Sequence, residues 1–322
     1  METIKPDAVI LLLSYNGMDI EYEHKPLLPQ CLDKLMTTNG NFRIICITTG
    51  STDGSEHFVR EHYKGVEVMH EKENDEHIAR IYNKGVKHAL EKYKPKYIVI
   101  MSNDIFVRDA SWLQAMMATS EEYKSAGIVG CKLLYPDGRI QFGGIKRGAW
   151  MHNNGKGKVD NGDYDYVEKV DAVHLACMLI KAEMFEKVGL FDENLRLGFE
   201  DTDYCMRVSE NGFDVIYNGK ISMQHLEGVT VNKTATDRFD SSRDIERFKK
   251  EQELFIYFTR KHYKGIKRYA GLAWVAIGRS VFTTSKLGVI GKANFRFNDK
   301  IAERLRISMN AINDRRDISE KL

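Results

Sequence analysis

The chain has 322 residues, 43% hydrophobic and 29% charged, with a formal net charge of +2. That balance fits a soluble globular protein with room for one large domain and an appendage. No run of about 18 apolar residues occurs, which excludes a spanning helix. Lys5, Pro6 and Asp7 interrupt the start, so no signal peptide is expected. The five cysteines (Cys31, Cys46, Cys131, Cys177, Cys205) form no C-x-x-C pair and read as buried free thiols in a reducing cytosol.

Ala8 to Leu13 is a short, wholly apolar run and predicts a buried parallel strand, broken by Ser14-Tyr15-Asn16-Gly17. Leu27 to Thr37 has helical spacing. Phe42 to Ile47 predicts a second strand, ending in the polar loop Thr48 to Ser55 and a helix over Glu56 to Tyr63. Val66 to Met69, Ile78 to Tyr93 and Tyr97 to Met101 predict strand, helix and strand, stopping at Ser102-Asn103-Asp104. Such alternation predicts an open α/β sheet with right-handed crossovers, whose ligands lie beyond the carboxyl ends of the strands. Those ends are all polar here, which predicts one shared crevice.

Trp112 to Tyr123 predicts a helix, Gly127 to Gly130 a strand, and Tyr135 to Phe142 a turn and hairpin partner. Ala149 to Asp165, rich in Gly, Asn and Asp, predicts a long flexible loop. Asp171 to Ile180 reads as a strand before a helix over Lys181 to Val188. A helix is expected over Tyr204 to Asn211 and a strand over Asp214 to Tyr217. Val231 to Ser242 reads as a mobile connector. From Glu246 to Arg306, fifteen Lys or Arg face five Asp or Glu, with aromatics interleaved and helical spacing in Phe248 to Lys261 and Ile266 to Phe282. No repeat or low-complexity tract is present.

Four features carry candidate chemistry. Asp104 ends a buried strand, where a carboxylate can hold a divalent metal or simply form a turn. The Thr48 to Ser55 loop opens onto a helix N-terminus and suits a nucleotide or anion, or is a plain turn capped by Asp53 or Ser55. Glu200, Asp201 and Asp203 supply a general base, or complement a helix dipole. His225 is a metal ligand or an ordinary core histidine; with Asp104 it makes a mixed N/O pair suited to Mn²⁺ or Mg²⁺.

The order of these features resembles the inverting family 2 glycosyltransferases of GT-A fold, in particular their bacterial rhamnosyltransferase-like and galactofuranosyltransferase-like branch. The resemblance covers roughly residues 8 to 230. It rests on Ser14-Tyr15-Asn16-Gly17, Gly50 to Ser55, Asn74 with Asn83-x-Gly85, Asp104, Gly127-Ile-Val-Gly130 with Asp137-Gly138-Arg139-Ile140-Gln141, Ala176 to Ile180, Gly189 to Glu193, and Phe199 to Asp203. It implies an α/β Rossmann-like mixed sheet flanked by helices over residues 1–230, with a donor half to about 105, an acceptor half from about 106, and a helical extension over 231–322.

The resemblance further implies that Asp201 is the base, with Glu200 and Asp203 orienting it or the acceptor, and that Asp104 and His225 hold Mn²⁺ or Mg²⁺. Ser14, Tyr15, Asn16, Thr48, Ser51, His77, Asn83 and Asn103 would meet a dTDP- or UDP-sugar. His174, Ala176 and Cys177 would form the acceptor wall for a glycan or lipid-linked glycan. The chain departs from the pattern at four points. Thr48 and Thr49 stand where an Asp reads the pyrimidine, Ser102 replaces the first metal acid, His77 stands where Gly is frequent, and His174-Leu175 replaces Ser-Gly. A sugar-binding scaffold and a sugar nucleotidyltransferase are the alternative functions. The basic C-terminal block predicts contact with an anionic membrane at the inner face of the plasma membrane, or a helical lid, in a cytoplasmic protein. No nucleic-acid partner is expected, and a homo-oligomer is allowed.

Overall fold

The computed structural model describes residues 5–72, 77–147, 151–196, 198–226, 241–265, 268, 271–272 and 305–309. The chain divides into two compact units: Met1–Glu193 with Glu200–Thr236, and Asn194–Phe199 with Asp237–Leu322. This differs from a single cut at residue 230, because a short segment inside the first 230 residues clusters with the C-terminal part.

In the first unit, β1 (Ala8–Ser14) leads to a small hairpin of β2 (Glu21–Tyr22) and β3 (Lys25–Pro26), and then α1 (Leu27–Leu35). β4 (Phe42–Thr49), α2 (Ser55–His62), β5 (Val66–Glu71), α3 (Ile78–Tyr93) and β6 (Tyr97–Ser102) alternate after it. The chain continues through β7 (Ile105–Val107), α4 (Trp112–Glu122), β8 (Ala126–Leu134), β9 (Ile140–Phe142), β10 (Ile145–Arg147) and β11 (Met151–Asn153). β12 (Val167–Val170), β13 (Cys177–Lys181), α5 (Glu183–Lys187), α6 (Glu200–Glu210) and β14 (Asp214–His225) complete it.

Among the described residues the main sheet has ten strands, in the order β12-β14-β8-β13-β6-β1-β4-β5, with β7 added to β14 and β9 to β8. β1, β4, β5 and β6 are parallel, and β13 enters antiparallel to β6. The sheet is therefore mixed. β1 is buried almost throughout, the continuous apolar run that a strand inside a parallel sheet requires. α3 buries Ile81, Tyr82, Val86 and Ala89 and packs on β1, β4 and β6. Gly85 permits that approach: a Cβ there would stand 2.6 Å from Ile47 Cδ1. Its helix-interior cost of about 1 kcal/mol is accepted for close packing.

Four sequence expectations change. Residues 151–153, expected in a flexible loop, form β11 and pair with β10. Of the expected strand over Asp171 to Ile180, only Cys177 to Ile180 is strand, the start of β13; β12 ends at Val170, and residues 171–176 cross between the two. The run expected to end at Tyr217 continues to His225, because β14 passes an irregularity between Asn218 and Ser222 without leaving the sheet. α6 starts at Glu200 rather than Tyr204, so the acidic cluster is its first turn.

In the second unit, α7 (Ser241–His262) buries Ile256 and Phe258. Phe199 stacks on Phe258 at 4.7 Å and meets Phe255 edge-on at 4.5 Å, while Asn194 Nδ2 donates to the Tyr257 hydroxyl at 3.3 Å. No helix among the described residues is long and apolar enough to cross a membrane. Most of Ile266 to Phe282, the second basic helical stretch read from the sequence, lies outside the described residues, as do Asn74 and residues 231–240 of the expected connector.

At the sheet edge, Glu67 of β5 joins α3 through His88 Nε2 and Lys92 Nζ, both at 2.8 Å, and through the Tyr93 hydroxyl. Burial pushes the Glu67 carboxyl up, but the hydrogen bonds from Lys92, Tyr93 and His88 outweigh it and hold the group down at about 2. A folded value below the unfolded one adds stability that is complete above about pH 4.5 and is lost as pH falls toward 2. Because Glu67 is a quarter exposed, screening reduces the effect to roughly 1–2 kcal/mol. Glu67→Gln is expected to lower stability by that amount at pH 7 in urea unfolding, with the gap from wild type narrowing at pH 3. A gap independent of pH would refute the assignment.

Candidate active site

The site lies where the carboxyl ends of β1, β4 and β6 meet the segment crossing into β13. Two loops interlock on the donor side. Asn16, with φ of 45°, accepts the Thr52 N–H on Oδ1 at 2.9 Å, and its own N–H donates to Ser51 Oγ at 3.0 Å. Asp53 Oδ2 accepts the N–H groups of Met18 and Asp19, and Oδ1 accepts that of Ser55. Burial raises the Asp53 carboxyl, yet the bonds from Ser55, Met18 and Asp19 outweigh it and lower it overall. Gly17 is required beside them: a Cβ there would lie 2.7 Å from Leu28 Cβ and from Ser14 Oγ. Ser14 Oγ accepts the buried Asn103 Nδ2 at 2.9 Å, which ties β1 to the residue before Asp104. Tyr15 is half-buried at this turn.

Thr48 is fully buried, so the hydroxyl expected at the base does not face solvent. Its Oγ1 lies 3.0 Å from Nδ1 of His70, the residue opposite it on β5, and Glu56 Oε2 is 3.2 Å from the same nitrogen. His70, Glu56, Ser51, Thr52, Gly54, His57 and Arg60 line a cavity of about 410 Å³. His70 was not singled out from the sequence. The strand register with Thr48 is the signal that finds it. His77 caps α3 at its N-terminus without a side-chain cap bond.

Asn83 occupies a bracing position. Its Nδ2 donates to Phe191 O and Glu193 Oε1, both at 2.9 Å, and its Oδ1 accepts Phe191 N–H at 2.9 Å. Both amide N–H groups expected at the donor thus hold the turn before the acidic cluster.

Asp104 and His225 come together. β7 pairs with the end of β14, setting His225 opposite Ile105, and Leu226 N–H donates to Asp104 O at 3.0 Å. His225 Nε2 lies 3.4 Å from Asp104 Oδ2, and both groups are largely buried. Asp104 Oδ1 is buried without a hydrogen-bond partner. The opposite ring nitrogen of His225, Nδ1, is 2.5 Å from Gln141 Oε1. No group of three or more His, Cys, Asp or Glu gathers for a metal among the described residues.

The crossing segment links this pair to the acidic helix. The His174 ring lies edge-on to His225 at 5.5 Å. The next residue, Leu175, donates its N–H to Asp201 Oδ2 at 3.2 Å. Asp201 Oδ1 accepts Thr202 N–H at 2.6 Å and Thr202 Oγ1 at 3.1 Å. Asp201 is half-buried, and Glu200 beside it is buried. Ala176 and Cys177, expected on the acceptor wall, are 3% and 1% exposed. Ala176 O accepts the Ser102 N–H at 3.1 Å, and its own N–H donates to His174 Nδ1 at 3.0 Å. Their part is to hold the sheet and the His174 ring.

Asp203, expected to orient the acceptor or Asp201, takes a core position. It is fully buried and accepts Arg207 Nε at 2.8 Å, one helical turn on, while the Arg207 guanidinium donates to Val188 O and Leu190 O. Glu200 and Asp203, three positions apart, share the buried face of the helix, while Asp201 is turned about 100° from Glu200 and stays half-buried.

The mixed sheet and the polar crevice at its strand ends define a GT-A glycosyltransferase fold. The chain belongs to glycosyl transferase family 2, whose model matches residues 12–189. It is 26% identical over 160 residues to the O-antigen biosynthesis protein RfbC of Myxococcus xanthus, covering 47% of this chain and 12% of that protein. It is likewise 26% identical over 222 residues to the uncharacterized protein y4gI of Sinorhizobium fredii (strain NBRC 101917 / NGR234), covering 65% of this chain and 24% of that protein. The chain therefore spans a quarter or less of these relatives' length. Among solved structures it is similar to the mannosyltransferase PcManGT of Pyrobaculum calidifontis in complex with GDP-Man and Mn²⁺, with a TM-score of 0.57, 15% identity, and coverage of 98% of this chain and 89% of that one. It is also similar to S. aureus TarS 1-349 in complex with UDP-GlcNAc, with a TM-score of 0.57, 13% identity, and coverage of 96% and 82%.

Removing one partner of a buried ion pair costs about 3–5 kcal/mol, because the other charge is stranded. Asp203→Ala is expected to lower urea-unfolding stability by about 3 kcal/mol. Lost transferase activity at unchanged stability would instead put Asp203 at the reacting atoms.

Proposed function

We propose that the chain is an inverting glycosyltransferase, moving a sugar from a nucleotide-diphosphate donor, dTDP-rhamnose or a UDP-sugar, to a hydroxyl of a glycan or lipid-linked glycan in cell-surface polysaccharide synthesis. The observation that carries this reading is that His174-Leu175 touches both the Asp104–His225 pair and Asp201. One segment thus links Asp201 to a pair suited to a cation, in a family 2 fold. The O-antigen role in the name of the Myxococcus xanthus relative supports the polysaccharide context. The nucleotide-sugars bound by the two structural neighbours support the donor class.

Asp201 takes the proton of the acceptor hydroxyl as that oxygen attacks the anomeric carbon. The bond from that carbon to the diphosphate breaks, the nucleoside diphosphate leaves with the electron pair, and configuration inverts in a single displacement. The Leu175 and Thr202 N–H groups fix the carboxylate for this task. Asn16, Ser51 and Asn103 hold the loops after β1, β4 and β6 in shape, and His70, not the buried Thr48, lines the cavity beside Ser51.

Asp104 and His225 fit a divalent cation. One carboxylate oxygen is buried without a partner, and an imidazole nitrogen faces the other. One carboxylate and one imidazole suit Mn²⁺ or Mg²⁺, leaving further positions to diphosphate and water. Bound there, the cation would offset charge on the departing diphosphate. The basic C-terminal stretch suits an anionic membrane surface carrying a lipid-linked acceptor.

Nucleotide release from a panel of donors, with Mn²⁺ and acceptor supplied, tests the reading. Asp201→Asn should lower kcat by at least about 100-fold with an unchanged melting temperature, and EDTA should abolish turnover until Mn²⁺ is restored. Activity surviving the substitution would remove Asp201 as base; activity indifferent to EDTA would remove the metal.

A further inference from the structure

We propose that Gln141 is a positioning residue for the metal: it fixes His225 as the tautomer protonated on Nδ1, so that Nε2 presents a lone pair beside Asp104. The inference rests on the metal reading above. Gln141 Oε1 lies 2.5 Å from His225 Nδ1, and both side chains are buried. A carbonyl oxygen only accepts, so Nδ1 must carry the proton. In the neutral ring Nε2 is then bare, and it stands 3.4 Å from Asp104 Oδ2. Two acceptors facing each other repel unless a proton or a cation lies between them. The buried, unpartnered Asp104 Oδ1 adds a third oxygen or nitrogen acceptor to the same spot.

The strand order explains how Gln141 reaches this place. β9 pairs with β8, and β8 with β14, so Gln141 and His225 sit on strands flanking one partner. The neighbouring residue on β9, Phe142, meets the His174 ring edge-on at 5.5 Å, and His174 meets His225 in the same way. One short strand thus holds the His225 ring twice, by a hydrogen bond at Nδ1 and by packing through His174. A partner on the far nitrogen of a ligating histidine fixes both ring orientation and tautomer, and losing it typically weakens metal affinity 10–100-fold.

The test measures Mn²⁺ binding without turnover, from the free-ion electron paramagnetic resonance signal of the full chain titrated with Mn²⁺ alone. Gln141→Leu should raise the half-saturating Mn²⁺ about 10-fold or more. Gln141→Glu, which can only accept from Nδ1, should bind close to wild type. Equal binding by wild type and Gln141→Leu would overturn the proposal, as would Gln141→Glu binding as weakly as Gln141→Leu. If the wild type itself shows no saturable binding, the metal reading fails, and Gln141's metal role fails with it. A measurement on the unmutated chain guards against variants that do not fold. With ¹⁵N-labelled histidine, the resonance absent from His225→Asn should report a protonated Nδ1 and a bare Nε2; a proton found on Nε2 overturns the assignment.

Discussion

The site depends on one short strand pairing. Three residues of β7 lie antiparallel to the last three of β14, and that register sets His225 beside Asp104. Nothing local to either residue would bring them together. β14 must first follow β8, absorb an irregularity between Asn218 and Ser222, and still arrive in register. A one-residue slip would turn the imidazole to the other face of the sheet. The twelve-residue length of β14 is therefore a condition for the pair rather than an incidental feature.

Helix geometry sorts the acidic cluster in the same way. Glu200, Asp201 and Asp203 crowd together in the first turn of α6, where Glu200 and Asp203 share the buried face and Asp201 is turned away from it. Asp203 turns inward to Arg207 and through it holds the carbonyls of Val188 and Leu190. Asp201 stays half-buried, held by the N–H groups of Leu175 and Thr202. A position four residues before a basic residue on a helix is a natural ion-pair partner, so the structural part of Asp203 was readable from its spacing to Arg207.

The donor half was legible because its strands are continuous apolar runs and its turns carry Gly, Asn and Asp. The acceptor half was less so. Gly219 stands in β14 because Tyr164 O would lie 1.8 Å from a Cβ there, a constraint set by a distant residue. Asn83 reads as a polar group available to a ligand, yet its partners, Phe191 and Glu193, lie across the fold. Thr48 reads as a replacement for a base-reading acid, but its exposure depends on His70 in the neighbouring strand. In each case the local residue type was right for its secondary structure. The contact that decides its role is non-local, and sequence spacing does not encode such contacts.

The segment from 171 to 176 shows how such contacts assemble a working site. It joins two strands that are not neighbours in the sheet, so it must cross over the strand ends. In crossing, it offers Leu175 N–H to Asp201 and the His174 ring to His225, while Ala176 receives the end of β6. The bulky and partly polar pair His174-Leu175 spans the distance between Asp201 and His225. The His174 ring is itself held by the Ala176 N–H on Nδ1, so its packing against His225 is fixed by the backbone that also anchors β6. Any shift of this crossing would move the Asp201 carboxylate and the His225 imidazole together, because the two share one backbone support.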